Sequence, residues 1–199
     1  MREKIVDKML ISLNNTYNYD NDTLERVKYG LEILYISITK MVVILLISIS
    51  LGLLKESLLV ILFSNFIRKY AYGIHAKKSW HCYVSSILVF IFLPLYFKKL
   101  SFSLIQKISI SIICFIGYSL FAPADTHKRP LVNKKHRSKL KTNTLFVCSL
   151  YILIIFISNN TLINNMIILS MIAELFAINP IIYKLCDMPY NNYKTYQSN

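Results

Sequence analysis

Long apolar runs separated by short polar segments form the pattern of this chain. The longest runs have about 20 residues, the length that a helix needs to cross the hydrocarbon core of a bilayer. They lack the strict alternation of apolar and polar residues that the strands of a membrane barrel require. The six runs are 33–54, 57–67, 82–97, 102–122, 144–158 and 162–183. The pattern predicts an all-α, polytopic integral membrane helical bundle with about six membrane segments.

The second run is the exception, because about eleven residues are too few to span a bilayer as a helix. Either this run dips into the membrane and returns, or residues 68–72 prolong it. We interpret Lys55-Glu56, directly before the run, as a short turn. The fold prediction therefore includes short or re-entrant segments.

The first 30 residues are more polar than the runs and predict helices at the membrane surface. Ile5, Met9, Leu10 and Leu13 recur at helical spacing among charged residues. This first helix either lies in the membrane interface or packs on the bundle. After a polar turn, a second helix starts near Leu24 and leads into the membrane.

The charge of the chain predicts its orientation. The sequence has 55% hydrophobic residues, a mean hydropathy of +0.47 and a formal net charge of +13. If both ends are cytoplasmic and every run crosses, 18 Lys and Arg residues lie on the cytoplasmic side and 3 on the other. The positive-inside rule then predicts a multi-pass protein of the cytoplasmic membrane with both termini in the cytoplasm. The basic charge anchors the chain at the inner leaflet, and we expect no nucleic-acid partner.

The polar stretch 68–82 interrupts the apolar pattern and holds the most reactive side chains, including His75, His81 and Cys82. A Cys near a His is a nucleophile–base arrangement in outline, since the thiolate is the reactive form and an imidazole can generate it. On one continuous helix His75 and Cys82 would lie about 10.5 Å apart. Proton transfer needs about 3 Å. A dyad therefore requires the backbone to turn between the two residues.

A turn at residues 77–79 would meet this requirement. Ser79 is a good N-cap, and a helix that starts at Trp80 places Cys82 in its first turn. The N–H groups and the dipole at a helix start favour an anion there.

Three other interpretations of these residues remain open. Cys82 is a small buried hydrophobe with no chemistry, or the neighbouring His81 is the base. A zinc site from His75, His81 and Cys82 is the third, although the fourth ligand and the usual paired spacing are absent from this stretch.

Arg68, Gly73, His75-Ala76 and Cys82 resemble the core of the accessory gene regulator B family. That family has an Arg, a Gly-Gly pair, His-Ala and then a Cys seven residues after the His. This chain differs at Tyr72, where the family often has the first Gly.

A second stretch, 122–126, looks like the Pro-Ala-Asp-Thr loop of the same family, and Lys-Arg-Pro-Leu follows at 128–131. The length, the hydrophobic layout and both motifs fit over roughly residues 1–190. The order of the two motifs within a membrane chain of this size makes the resemblance specific.

The resemblance implies a membrane-embedded cysteine endopeptidase of quorum sensing, with Cys82 as nucleophile and His75 as base. The implied substrate is a small precursor peptide with an amphipathic membrane-bound leader and an acidic tail. Cleavage leaves a thioester, which an internal Cys or Ser of the precursor converts to a thiolactone or lactone. The family also implies a homodimer in the lipid bilayer, and we expect no metal or other cofactor.

Further residues are expected to support this chemistry. Arg68 binds a substrate carboxylate or a loop carbonyl, or extends to the lipid headgroups. Asp125 orients His75, as the acid does in catalytic triads, or caps a turn or pairs with a cation. An acidic substrate tail suits the basic residues Lys128, Arg129, Lys134, Lys135 and Arg137.

These inferences define a single membrane-embedded peptidase domain over residues 1–199. Its parts are the N-terminal helices in 1–30, the catalytic segment 68–82, a basic cytoplasmic loop at 123–143 and a polar tail at 184–199. A transporter is the alternative function, with the intramembrane Lys40 and Glu174 paired or lining a path. A non-catalytic membrane chaperone for a peptide is the third.

Overall fold

The computed structural model describes residues 2–17, 20–74, 79–126 and 130–196. Within these ranges the chain is mostly helical, and Tyr72 and Ala124 form an isolated parallel β-bridge. The helices are α1 (Arg2–Tyr17), α2 (Asn21–Ser50), α3 (Leu54–Ala71), α4 (Ser79–Ile87), a π-helical turn (Leu88–Phe92), α5 (Leu93–Phe97), α6 (Leu104–Phe121), α7 (Lys134–Ile157), α8 (Thr161–Ile178), α9 (Pro180–Leu185) and a 3-10 helix (Asn192–Tyr196).

Five helical segments of the described chain are long and apolar enough to cross a membrane. They are Thr23–Ser50, Trp80–Phe97, Leu104–Phe121, Lys134–Ile157 and Thr161–Ile178. The predicted all-α, polytopic helical bundle is thereby confirmed.

The chain forms two compact units, residues 1–50 and 51–199. In the first unit, α1 packs against α2, and Lys28 forms an ion pair with Asp7 at 3.0 Å. Of the residues with helical spacing, Leu10 is buried and Ile5 and Met9 are exposed, and Val6 is buried as well. The sequence predicts a polar turn over residues 14–22, which is wrong in its first part because α1 continues to Tyr17.

The second unit is built around α8, which packs against α3, α5, α6, α7 and α9. This helix is mostly apolar and has no separate polar face, as expected of a helix enclosed by others. Its residues 166–171 are all buried. It ends at Ile178 because Asn179 precedes Pro180, and the residue before a proline avoids the helical conformation.

The short second run becomes α3, an 18-residue helix. Of the two alternatives, the structure has the one in which residues 68–71 prolong the run. Lys55 and Glu56 do not form a turn, because they lie in the first turn of α3, and the chain turns at residues 51–52 instead. Glu56 lies 3.5 Å from Lys98, just beyond α5.

The basic segment 123–143 is a loop only in its first half. From Lys134 onward it is helical and forms the first turns of α7. The side chain of Asn133 caps this helix by accepting hydrogen bonds from the backbone N–H groups of Lys135 and His136. The prediction of a loop to residue 143 was wrong because a run of basic residues resembles a solvated linker.

Candidate active site

Arg68 lies in the last turn of α3 and links α8 to the backbone that leaves α3. Its Nη2 donates to the carbonyl of Ile74 at 2.7 Å, and its Nη1 lies 3.4 Å from Oε1 of Glu174. Glu174 is a buried residue of α8. A guanidinium presents several donors in a rigid fork, so one side chain can hold both acceptors. Arg68 thus holds the carbonyl group directly before His75.

The backbone after α3 is held by two neighbouring segments. The N–H of Ala124 donates to the carbonyl of Ala71 at 2.9 Å, and the N–H of Gly73 donates to the carbonyl of Ala124 at 3.0 Å. The N–H of Ile74 donates to the carbonyl of Ala177 at 2.9 Å. That carbonyl lies in the last turn of α8, where carbonyls lack a donor within the helix. The segment leading to His75 is therefore anchored on both sides.

Two residues of this segment have a positive φ, 61° at Tyr72 and 120° at Gly73. A Cβ atom on Gly73 would meet the backbone oxygen of Ala177 at 3.1 Å, so α8 would have to yield by a few tenths of an ångström. The positive φ favours glycine at 73, and the tight contact adds to this preference. The positive φ of Tyr72 gives a physical reason why a glycine suits that position, where this chain departs from the family motif.

His75 belongs to residues 75–78, outside the described part of the chain, so the His75–Cys82 dyad stays a prediction. Among the described residues, α3 ends at Ala71, residues 72–74 are not helical, and α4 begins at Ser79. The turn predicted at residues 77–79 lies mostly outside the described residues and stays a prediction.

Cys82 is the fourth residue of α4 and is partly buried. The helix starts one residue before the predicted Trp80, so Ser79 is its first residue. His81 is exposed, and its ring centroid lies 3.8 Å from that of Trp80. The imidazole of His81 therefore packs against an indole on its own helix.

Asp125 is buried, and its carboxylate accepts four hydrogen bonds from the described residues. Its Oδ1 accepts from the backbone N–H of Asn192 at 2.8 Å and from the side-chain amide of Asn192 at 3.3 Å. Its Oδ2 accepts from the N–H of Tyr193 at 2.8 Å and from the N–H of Leu131 at 3.2 Å. The carboxylate thus caps backbone N–H groups and joins the loop before α7 to the 3-10 helix.

The predicted basic residues fall into three groups. Lys128 and Arg129 lie outside the described residues. Lys134 and Lys135 are exposed at the start of α7. Arg137 has a structural role, because it donates to the carbonyl of Leu131 at 3.0 Å and lies 3.7 Å from the ring centroid of Tyr193.

The tyrosines of the C-terminal region pack around the same loop, which sequence reasoning did not foresee. The hydroxyl of Tyr183 donates to the carbonyls of Asp125 at 3.1 Å and Ala124 at 3.4 Å. The hydroxyl of Tyr190 donates to the carbonyl of Phe121 at 3.3 Å. Burial raises the pKa of both phenols above the ordinary value, so they stay protonated donors at neutral pH. The only sequence signal was the number of tyrosines after residue 182.

From the sequence, Lys40 was considered as the partner of Glu174. The structure places its carboxylate beside Arg68 on α3. Among the described residues, no three His, Cys, Asp or Glu side chains converge as metal ligands.

The fold and the site define a class: a polytopic helical membrane protein with a cysteine at the start of a helix and an anchored turn before it. Residues 3–178 match the family model described as Accessory gene regulator B. The chain is 33% identical over 195 residues to a putative AgrB-like protein of Clostridium acetobutylicum, covering 98% of this chain and 93% of that protein.

Two further relatives extend this similarity. A putative AgrB-like protein of Listeria welshimeri is 32% identical over 99% of this chain and 96% of its own length. The accessory gene regulator protein B of Staphylococcus carnosus is 31% identical over 77% of this chain and 80% of its own. No solved structure matches the chain. This chain belongs to the accessory gene regulator B family.

Proposed function

We propose that this chain is a membrane-embedded cysteine endopeptidase. It cleaves the C-terminal tail from a small signalling propeptide and promotes cyclisation of the remainder to a thiolactone or lactone in quorum sensing. The observation that supports the proposal is the hydrogen-bonded backbone of residues 72–74, which follows the end of α3 and directly precedes His75. The presence of Cys82 in the first turn of the described α4 supports it as well.

The first half-reaction uses both residues. His75 accepts the proton of the Cys82 thiol, and the thiolate attacks the scissile carbonyl of the precursor. The first four N–H groups of α4, which lack acceptors within the helix, stabilise the oxyanion. The imidazolium returns the proton to the nitrogen of the leaving tail, the peptide bond breaks, and the precursor remains attached to Cys82 as a thioester.

The second half-reaction closes the ring. An internal Cys or Ser of the precursor gives its proton to His75 and attacks the thioester carbonyl. The carbon–sulfur bond to Cys82 breaks, and the thiolate recovers the proton from the imidazolium. A site at the membrane boundary excludes water, which favours ring closure over hydrolysis.

The partners follow from the charges and the apolar surface. The substrate has an amphipathic leader that lies on the membrane and an acidic tail that the exposed Lys134 and Lys135 attract. The site faces the cytoplasm, where a newly made peptide arrives, and both termini lie on that side of the cytoplasmic membrane. The protein acts as a homodimer in the bilayer.

Incubation of the purified protein with a candidate precursor, a short peptide with an amphipathic leader and an acidic tail, tests the proposal. Release of a tail fragment is expected from the wild type and from His81→Ala. Cys82→Ala and His75→Ala abolish release while the protein still inserts and binds precursor. Vesicle uptake of intact peptide without cleavage would instead favour a transporter, and cleavage by Cys82→Ala would exclude the mechanism.

A further inference from the structure

We propose that Asn192 and Tyr193, which begin the C-terminal 3-10 helix, are positioning residues for the catalytic site. They bind the carboxylate of Asp125 and thereby hold the bridge at Ala124 that supports the backbone leading to His75. This inference rests on the proposed function. Both residues lie beyond residue 178, the last residue that the family model matches.

The first step is the dependence of Asp125 on the C-terminal segment. Three of the four hydrogen bonds to its carboxylate come from Asn192 and Tyr193, and the fourth comes from Leu131. A buried carboxylate is costly unless hydrogen bonds replace its hydration. Without the C-terminal donors the carboxylate would move toward solvent.

The second step connects Asp125 to the catalytic segment. Ala124 is its neighbour, and it is hydrogen-bonded through its N–H to Ala71 and through its carbonyl to Gly73. A peptide unit is planar and rigid, so a displacement of Asp125 is transmitted to Ala124. Ala71 lies four residues before His75, and Gly73 lies two residues before it. Few rotatable backbone bonds therefore separate them from His75, so the displacement reaches the catalytic segment.

The third step concerns the contacts that the C-terminal region makes with residues 124–125 and with α7. Tyr183 donates to the carbonyls of Ala124 and Asp125, and the rings of Tyr183 and Tyr190 pack edge to face with centroids 5.1 Å apart. On the other side, the Tyr193 ring stacks with the Arg137 guanidinium of α7. Asn192 and Tyr193 are therefore held between the loop and α7.

The expected consequence is a loss of turnover rather than of binding. A displacement of about 1 Å in a catalytic group can lower a rate about 100-fold. Removal of the positioning contacts should thus lower kcat for tail release by about 10- to 100-fold. The KM for the precursor should stay within about twofold, because the exposed lysines and the apolar surface are untouched.

The experiment compares four purified proteins in the same lipid: wild type, a chain that stops after Asn191, Asn192→Ala with Tyr193→Pro, and Tyr196→Ala. Alanine at 192 removes the side-chain amide, and proline at 193 removes the backbone N–H that bonds to Oδ2 of Asp125. Tyr196 is the matched control, because it is an exposed aromatic residue of the same 3-10 helix. A synthetic peptide of residues 189–199 is then added to the shortened chain. Its binding should restore kcat, whereas a peptide with alanine at 192 and proline at 193 should not.

The outcomes separate this proposal from the proposed function. If the shortened chain and the double variant cleave at the wild-type kcat, the positioning role is wrong although the peptidase activity stands. If both lose turnover with unchanged KM and the wild-type peptide rescues, the role is supported. If the shortened chain does not insert into the membrane, the kcat and KM of the double variant decide. A wild-type kcat then contradicts the positioning role, and a lower kcat with unchanged KM supports it. The wild type itself shows whether the chain cleaves at all, so failure of the proposed function is recognised separately.

Discussion

At the scale of single residues, the structure explains most fully why glycine occupies position 73. Its φ of 120° strains any other residue, and an added Cβ would approach the backbone oxygen of Ala177 to 3.1 Å. We expect Gly73→Ala to lower tail release at least about tenfold, because the segment before His75 must shift. The measurement is the rate of tail release by protein that is matched for insertion.

Two other glycines serve as controls for that substitution. Gly30 has nothing within 4 Å of a built Cβ, so Gly30→Ala should leave the rate unchanged. Gly52 has a positive φ of 64° and nothing within 4 Å of a built Cβ. Gly52→Ala therefore introduces backbone strain without a contact, at the opposite end of α3 from the site. Full activity of Gly73→Ala would contradict the account of this residue.

Arg68 and Glu174 form a second testable arrangement at this scale. Arg68→Lys should lower kcat, because a single ammonium cannot reproduce the fork that holds Ile74 and Glu174. Glu174→Gln should lower kcat less, since it removes only the charge. In a double-mutant cycle, the double variant should be no slower than Arg68→Lys alone.

The neighbouring Lys69 is the control for this cycle, because it is exposed on the same turn of α3. Lys69→Gln should keep the wild-type kcat. Independent, additive losses from Arg68→Lys and Glu174→Gln would show that the two side chains do not act as a unit.

The sequence identified the residues of the site better than their contacts. It singled out Arg68, Gly73 and Asp125 but left their roles open between several alternatives. The deciding contacts join Arg68 to α8, 106 residues away, and Asp125 to residues 67 and 68 positions further along the chain. Tertiary packing sets such contacts, and no local pattern contains them.

At the scale of elements, five of the six apolar runs correspond to helices that are long and apolar enough to cross a membrane, because length and hydrophobicity determine such helices directly. The helix of the second run, α3, is not among these five. The errors of the sequence prediction lie where charged residues continue a helix, as in the first turn of α3 and the start of α7. Charge indicates contact with water and not the end of a helix. The cap at Asn133 was the available sequence signal for the start of α7.

The helical start of α7 changes which cations are available to an acidic tail. We expect Lys134→Gln with Lys135→Gln to raise the KM for the precursor several-fold at low salt with little change in kcat. Salt should reduce the difference from wild type, because it screens exposed charges. Arg137 is excluded from this variant because it holds the loop through Leu131 and Tyr193.

The control for this prediction removes the same charge at Lys55 and Lys99, two exposed lysines that lie on the opposite side of the membrane in the predicted orientation. That variant should keep the wild-type KM and its salt dependence. An unchanged KM for the Lys134 and Lys135 variant would exclude these two residues from substrate capture.

At the scale of the whole molecule, the asymmetry of basic residues predicts the orientation in the membrane. In a chain with Cys82 and Cys186 replaced by alanine, cysteines at Ser138 and at Asn160 should react from opposite sides of intact cells. Both positions are exposed. A membrane-impermeant thiol reagent added outside should label the Asn160→Cys chain alone. Labelling of both positions from outside would overturn the orientation.

The central claim is that Cys82 carries the substrate as a thioester, and it can be tested by trapping this intermediate. The wild-type protein is incubated with a precursor whose ring-closing Cys or Ser is replaced by alanine, and its intact mass is measured. The account predicts a mass increase equal to the precursor without its tail, located on Cys82 and removed by hydroxylamine. The adduct should persist in Cys114→Ala, Cys148→Ala and Cys186→Ala and be absent from His75→Ala. An adduct on another cysteine, or tail release by Cys82→Ala, would contradict the account.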